Sequence, residues 1–222
     1  MSNKVKNQDW NPAEHYKDTK VATQYDQVRF SSLSGRIFNK LEKEIIKNCF
    51  QDLPPDTLIL DLPCGTGRLA EVLLESGFRI HGADISSEML QEAKKRLLKH
   101  ENLFETEVVD VFALTNTNRK FEAALCARVL MHFPIKDQIR FLCGVSSLVR
   151  SRVVINHSLN SPYQRFRRWI KKILGHPKSV NYPVTNEEIR ILLEEAGLVE
   201  IGRKRINPLI SEAIYIIAER RS

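Results

Sequence analysis

A doubly wound α/β domain is the architecture that this 222-residue sequence predicts, and three observations predict it. Leu58-Ile59-Leu60-Asp61 is a short apolar run ending on an acid, and Leu62-Pro63-Cys64-Gly65-Thr66-Gly67-Arg68 turns through two glycines into a helical pattern. Arg79-Ile80-His81-Gly82-Ala83-Asp84 is a second strand-like run that also ends on an acid. Beyond it, apolar runs and helically spaced segments alternate, as expected of a mostly parallel sheet with helices on both faces.

The elements follow in order. Residues before Gln24 are polar and read as an N-terminal arm. Phe38, Leu41, Ile45 and Ile46 have helical spacing, and Pro54-Pro55 stops that segment. The first strand is expected at 57–61 and the first crossover helix at 66–76. A second strand at 79–84 leads to a helix at 86–99. Residues 104–110 read as the third strand. Residues 121–127 read as the fourth, near-continuously apolar as a strand covered on both faces should be. A helix at 135–149 precedes the fifth strand at 152–156. Thr185 and Glu188 match a capping box, and Gly197 suits the stop of the helix that they open. Strands at 199–206 and 213–218 close the chain.

The glycine loop suits a nucleotide-like ligand. Glycine lets a ligand approach the backbone closely, and a helix start offers unpaired N–H groups and a positive dipole end. An acid at the tip of the second strand is placed to accept from ribose hydroxyls.

At these residues the chain resembles the class I S-adenosylmethionine (SAM)-dependent methyltransferases. Asp61-Leu62-Pro63-Cys64-Gly65-Thr66-Gly67 looks like that family's first motif, and Gly82-Ala83-Asp84-Ile85-Ser86 like its second. Ser86-Ser87-Glu88-Met89-Leu90-Gln91-Glu92-Ala93 looks like the helix that follows in many small-molecule members. Pro63 stands where many members have Gly, a variant form of the motif. The resemblance runs from about Tyr25 to the C-terminus. It implies a Rossmann-like, mostly parallel seven-stranded sheet with a C-terminal antiparallel hairpin. Residues 1–50 would then be an arm and lid helices, and 51–222 the methyltransferase domain, with a basic insert at 159–182. Gly65-Thr66-Gly67-Arg68-Leu69-Ala70 also fits a looser dinucleotide pattern, so an NAD-type oxidoreductase is a rival. Asp61 before the loop and the Ser-Ser-Glu-Met-Leu helix argue against it. A non-catalytic SAM-binding partner of another protein is a second rival.

The resemblance also implies residue roles. Gly65 and Gly67, with Pro63 in the same loop, would face the methionine part of SAM. Asp61 would orient the loop or reach the SAM ammonium through water. Asp84 would accept from the ribose, with a helix-capping Asp as its plainer alternative. Ile85 and Met89 would flank the adenine, although Met89 also suits simple core packing. Asp110 and Val111 would meet the adenine edge, and Ala127 and Arg128 would pass the methionine end. The segment 25–36 resembles a lid in which an aromatic and an arginine close over the cofactor, making Tyr25, Arg29 and Arg36 candidates. Arg29, Arg36, Arg68 and Arg128 compete to pair with the SAM carboxylate, because an arginine fork can make two parallel charged hydrogen bonds.

Methyl transfer from a sulfonium is an in-line displacement, in which the protein aligns the acceptor and excludes water. A hydroxyl acceptor gains from a general base. His132, in Arg128-Val129-Leu130-Met131-His132-Phe133 after the fourth strand, is the first candidate, and His157 the second. Neither the acidic cluster of magnesium-dependent enzymes nor an Asn/Asp-Pro-Pro-Tyr motif is present. Those absences weigh against metal-dependent and nucleobase methylation without excluding them, and the resemblance implies metal-free transfer to an oxygen of a small or lipid/glycan-linked acceptor, for which an anionic molecule is a candidate.

Composition is compatible with this reading. The four cysteines, at 49, 64, 126 and 143, form no C-x-x-C pair and suggest neither a disulfide framework nor a zinc site. Cys126, in an apolar run, reads as a small core residue. No apolar run approaches the length of a membrane span, and the first residues do not resemble a signal peptide, so a cytoplasmic protein is expected. The net charge of +7 favours anionic partners without choosing among them. Much of that charge lies in Pro162-Tyr163-Gln164-Arg165-Phe166-Arg167-Arg168-Trp169-Ile170-Lys171-Lys172-Ile173-Leu174. Phe166, Trp169, Ile170, Ile173 and Leu174 form one helical stripe there. Three readings compete: a lid helix packed on that stripe, a site for an anionic substrate, and a helix resting on an acidic membrane surface. Docking to a protein partner is a further use of the same segment.

Overall fold

The computed structural model describes residues 26, 30–110, 112, 119–173, 181–207 and 211–221, without the side chains at 167, 168, 171 and 172. Ser32 opens helix α1 (Leu33–Phe50), its Oγ accepting from the Gly35 N–H at 3.1 Å. That bond satisfies one of the donors a helix start leaves unpaired. Strand β1 (Leu58–Asp61) follows, then α2 (Arg68–Glu75), β2 (Arg79–Asp84) and α3 (Ser87–Arg96). A short 3₁₀ turn at Leu98–His100 precedes β3 (Phe104–Val108). Strand β4 (Phe121–Cys126), a 3₁₀ turn at Leu130–His132, α4 (Ile135–Leu148) and β5 (Val149–Ser158) come next. Helices α5 (Pro162–Ile173) and α6 (Asn186–Glu195) and strands β6 (Leu198–Arg205) and β7 (Ala213–Arg220) complete the chain.

The strands form one seven-stranded sheet in the order β3-β2-β1-β4-β5-β7-β6. The first five run parallel, and β7 lies antiparallel between β5 and β6. Side chains alternate across each central strand, as the period of two requires. Leu60, Ala124, Cys126, Val153, Ile155, Ile214 and Ile216 face α4 and α6 in one core. Ile59, Ala123, Leu125, Val154, Tyr215 and Ile217 face the other core, which holds residues of α1, α2 and α3. Ile46, Cys49 and Phe50 of α1 are wholly buried there. Each buried Leu, Ile or Phe contributes about 1.5–3 kcal/mol by leaving water, so α1 is held firmly to the sheet.

Three elements differ from expectation. Strand β3 ends at Val108, before the Asp110 carboxylate accepts from the Phe112 N–H at 2.9 Å. This local turn competes with the ladder. Strand β5 is longer at both ends, because α4 passes into it directly and buried Val149 pairs with Phe121. The insert's apolar stripe does not pack inward: on α5, Phe166, Trp169, Ile170 and Ile173 are all exposed. Leu174 lies outside the described residues.

Candidate active site

Strand order reverses at β1, whose neighbours lead away in opposite directions. In open parallel sheets the crevice at such a switch point, beyond the carboxyl ends of the strands, is where ligands bind. A cavity of about 310 Å³ lies there, reached by Asp61 at the end of β1, Asp84 at the end of β2 and Ala127 beyond β4. Its size suits a small-molecule site.

The glycine loop forms its floor. Gly65 and Gly67 take left-handed backbone angles, φ 53° and 72°. At Gly67 a Cβ would also crowd Ala93 of α3, 3.1 Å from its Cβ and 3.3 Å from its Cα, so the left-handed angle and the packing of the loop both favour glycine there. Gly65 lines the cavity, whereas Gly67 is not among the lining residues. Pro63 lines it too, after a cis Leu62–Pro63 bond.

Two buried acids face this space. Asp84 Oδ2 accepts from the Gly65 N–H at 2.8 Å and Oδ1 from the Ser86 N–H at 3.0 Å. Asp84 therefore ties the loop to β2, and a carboxylate with about four lone-pair sites keeps acceptor capacity for a ligand. Burial raises its pKa from the usual carboxylate range, with the backbone N–H bonds opposing. Asp61 is only 1% exposed, and its Oδ2 has no hydrogen-bond partner among the described residues. Burial, then repulsion from Asp84, pushes its pKa well above the ordinary value, with Arg68 opposing. An orphaned buried acceptor of this kind is rare and calls for a donor.

One wall is cationic. Arg68 and Arg128 line the cavity, and both are held by Glu42 of α1, a residue that the sequence reading missed. Arg68 Nη2 donates to Glu42 Oε2 at 2.5 Å and Nη1 to Asn39 Oδ1 at 2.7 Å. Arg128 donates to Glu42 Oε1 from Nε at 3.1 Å, and to Oε2 from Nη2. The Tyr215 hydroxyl of β7 donates to Glu42 Oε1 at 2.6 Å. Burial raises the Glu42 pKa, but the Arg128 and Arg68 charges outweigh it and hold the carboxyl below its usual range. The signal was present in the sequence: Glu42 sits on the apolar stripe of α1, between Phe38 and Ile46. Arg128 has φ 62°, a left-handed angle that costs a non-glycine residue about 1–2 kcal/mol. Phe30 lies under both guanidiniums, 4.7 Å from Arg68 and 5.5 Å from Arg128. Asp26, also missed, lines the cavity and accepts from Thr66 Oγ1 at 2.8 Å.

The remaining predicted residues divide. Ile85, Met89, Asp110 and His132 line the cavity. Arg36 is exposed on α1 and is not among the lining residues. Tyr25, Arg29 and Val111 lie outside the described residues. His157 is fully buried and is not among the lining residues either. Its Nδ1 accepts from the Ser158 N–H at 2.8 Å and its Nε2 meets Gln138 Oε1 at 2.9 Å. Burial lowers its pKa to about 4, so it is a neutral packing group at ordinary pH. Phe112, Phe133 and Phe141 form an aromatic wall of the cavity, with Phe112 and Phe133 edge to face at 5.3 Å.

Residues 59–152 match the family model of a methyltransferase domain, a stretch that holds the glycine loop and both acid-tipped strands. That stretch, less than half of the chain, is similar to a methyltransferase domain, and the sheet around it has the fold of the solved methyltransferases. It is 28% identical over 149 residues to a chloroplastic magnesium protoporphyrin IX methyltransferase of Arabidopsis thaliana, covering 66% of this chain and 46% of that protein. It is 27% identical over 92 residues to a ubiquinone biosynthesis O-methyltransferase of Coxiella burnetii, covering 41% and 38%. The matched regions thus span less than half the length of these relatives. Among solved structures, the Synechocystis magnesium protoporphyrin IX methyltransferase with bound S-adenosylhomocysteine superposes with a TM-score of 0.77. Its identity is 18%, and the match covers 94% of this chain and 98% of that one.

Proposed function

We propose that this chain binds SAM in the cavity at the switch point and methylates an oxygen of a small acceptor. The observation that carries this reading is that two buried acids, Asp61 and Asp84, line one cavity with the glycine loop and two arginines, Arg68 and Arg128. A zwitterionic nucleoside ligand answers each part. Asp61, with its unpartnered oxygen, suits the ammonium, and Asp84 the ribose. Arg68 and Arg128 suit the carboxylate. Ile85 and Met89 supply apolar surface for the adenine, and Asp110 an acceptor for its amine. The bound cofactor would supply a methyl group on a sulfonium, open to in-line attack.

The protein's own part is to position the acceptor and take its proton. The aromatic wall suits an acceptor with a broad apolar body and excludes water from the reacting atoms. His132, which also lines the cavity, is the proposed base for a hydroxyl. Relatives named for O-methylation in ubiquinone biosynthesis and on magnesium protoporphyrin support oxygen as the accepting atom. The same apolar wall would admit a lipid-linked acceptor.

Calorimetry with SAM, S-adenosylhomocysteine and NADH tests the cofactor. Micromolar binding of the two sulfur nucleotides, without NADH, is the expected result. Binding of NADH alone, or of none of the three, would overturn the reading.

A further inference from the structure

Helix α5 is oriented the wrong way round for a helix of a water-soluble domain. Its Gln164 is fully buried and its Nε2 donates to the Ser211 carbonyl at 3.4 Å, so that side faces the body. On the opposite side of the helical wheel, Phe166 and Trp169 are each 57% exposed, Ile173 63% and Ile170 38%. The Phe166 and Trp169 rings stack at 5.9 Å, forming one continuous apolar surface. The segment 162–173 has five basic residues and no acidic one.

We infer that α5 docks on an anionic lipid surface, with the Phe166–Trp169–Ile170–Ile173 face entering the headgroup region. Charge and composition select this occupant. An apolar stripe bearing Trp and Phe, on a helix whose only charges are positive, has the chemistry of an interfacial amphipathic helix. Cations beside it are drawn to the negative potential of acidic lipids. A second copy of the chain would have to bring like charges together, because every copy of this helix is basic.

The position of the helix gives the contact a use. The insert leaves from Leu159, beyond the C-terminal end of β5, and returns at Val184, which bridges to Leu159. Just before that bridge, the Tyr182 N–H donates to the Met131 carbonyl at 2.8 Å, next to His132 of the cavity lining. Docking would thus hold the cavity beside the membrane, where an apolar acceptor partitions. The inference stands apart from the cofactor reading, since it requires no SAM.

The test is sedimentation of the full chain with vesicles of phosphatidylcholine alone and of phosphatidylcholine mixed equally with phosphatidylglycerol. The expected result is recovery with the acidic vesicles only, reversed by added salt. A Phe166→Ser/Trp169→Ser double variant should lose roughly tenfold in vesicle affinity, and a Lys171→Glu/Lys172→Glu variant should lose as much. The serine variant should keep its cooperative thermal melt, since Phe166 and Trp169 are exposed, and a melt of the glutamate variant shows whether it too stays folded. Equal binding to neutral vesicles, no binding to either, or unchanged binding by the variants would overturn the inference. So would a wild-type chain that dimerises in sedimentation velocity while the serine variant stays monomeric. Calorimetry with S-adenosylhomocysteine, run separately, keeps a failure here distinct from a failure of the cofactor reading.

Discussion

Asp61 and Glu42 are two buried acids with opposite effects on folding. The folded pKa of Asp61 is raised. Its contribution to stability is therefore full below the unfolded pKa and is lost as pH rises through the folded one. Asp61→Asn keeps the shape and removes the charge. The ligand-free variant should melt higher than the parent at neutral pH, with the gain vanishing in acid. The same change should weaken S-adenosylhomocysteine binding about tenfold, or ~1.4 kcal/mol. Thermal melts and calorimetry on one sample check both halves. Glu42 has a lowered folded pKa, so its contribution is present above the unfolded value and is lost as pH falls through the folded one. Glu42→Gln leaves two guanidiniums without their counterion and should cost about 3–5 kcal/mol in denaturant melts. A loss below ~1 kcal/mol would show that the arginines do not depend on it. For His132, replacement by Ala should lower turnover about 10²–10⁴-fold and remove one limb of the pH–rate profile. Unchanged turnover would end its candidacy as base.

At the scale of elements, the caps were legible and the packing partners were not. Thr185 and Glu188 form the reciprocal box that their spacing announced: the Thr185 N–H donates to Glu188 Oε2 at 2.7 Å and the Glu188 N–H to Thr185 Oγ1 at 3.2 Å. Thr185→Ala should cost about 1 kcal/mol, which lowers the melting temperature by about 2–4 °C in a chain of this size. Such caps are readable because both partners lie within one turn of sequence. The outward stripe of α5 was not readable. Periodicity marks which residues share a face, but the direction of that face depends on groups far along the chain, here Ser211 against Gln164. Glu42 escaped for the same reason, since its partners Arg68, Arg128 and Tyr215 are 26, 86 and 173 residues away.

For the molecule as a whole, the alternation of strand and helix was enough to predict a mostly parallel sheet, whereas its seven strands and closing antiparallel hairpin were implied by the family resemblance. The ends of strands were less legible, because Asp110 and Val149 are settled by a local turn and by pairing with Phe121. The glycine loop and the acids Asp61 and Asp84 were legible because their signal is contained in a few consecutive residues. Binding linkage acts on this whole unit. Saturating S-adenosylhomocysteine at 100 times its dissociation constant should raise unfolding free energy by about 2.7 kcal/mol. A melt that does not move with ligand concentration would contradict binding to the folded state.

Tyr215 and Glu42 also bear on how this protein can be divided. Their hydrogen bond fastens the last strand to the first described helix, behind the cationic wall of the cavity. Neither residue lies within 59–152, the stretch that carries the family's match. A chain trimmed to that stretch would retain Arg68 and Arg128 but discard the acid that neutralises them and the phenol that steadies it. The recognisable stretch is therefore not a module. Grafting it alone into another protein should yield no cooperative melt, whereas a piece running from α1 through β7 carries its own clasp.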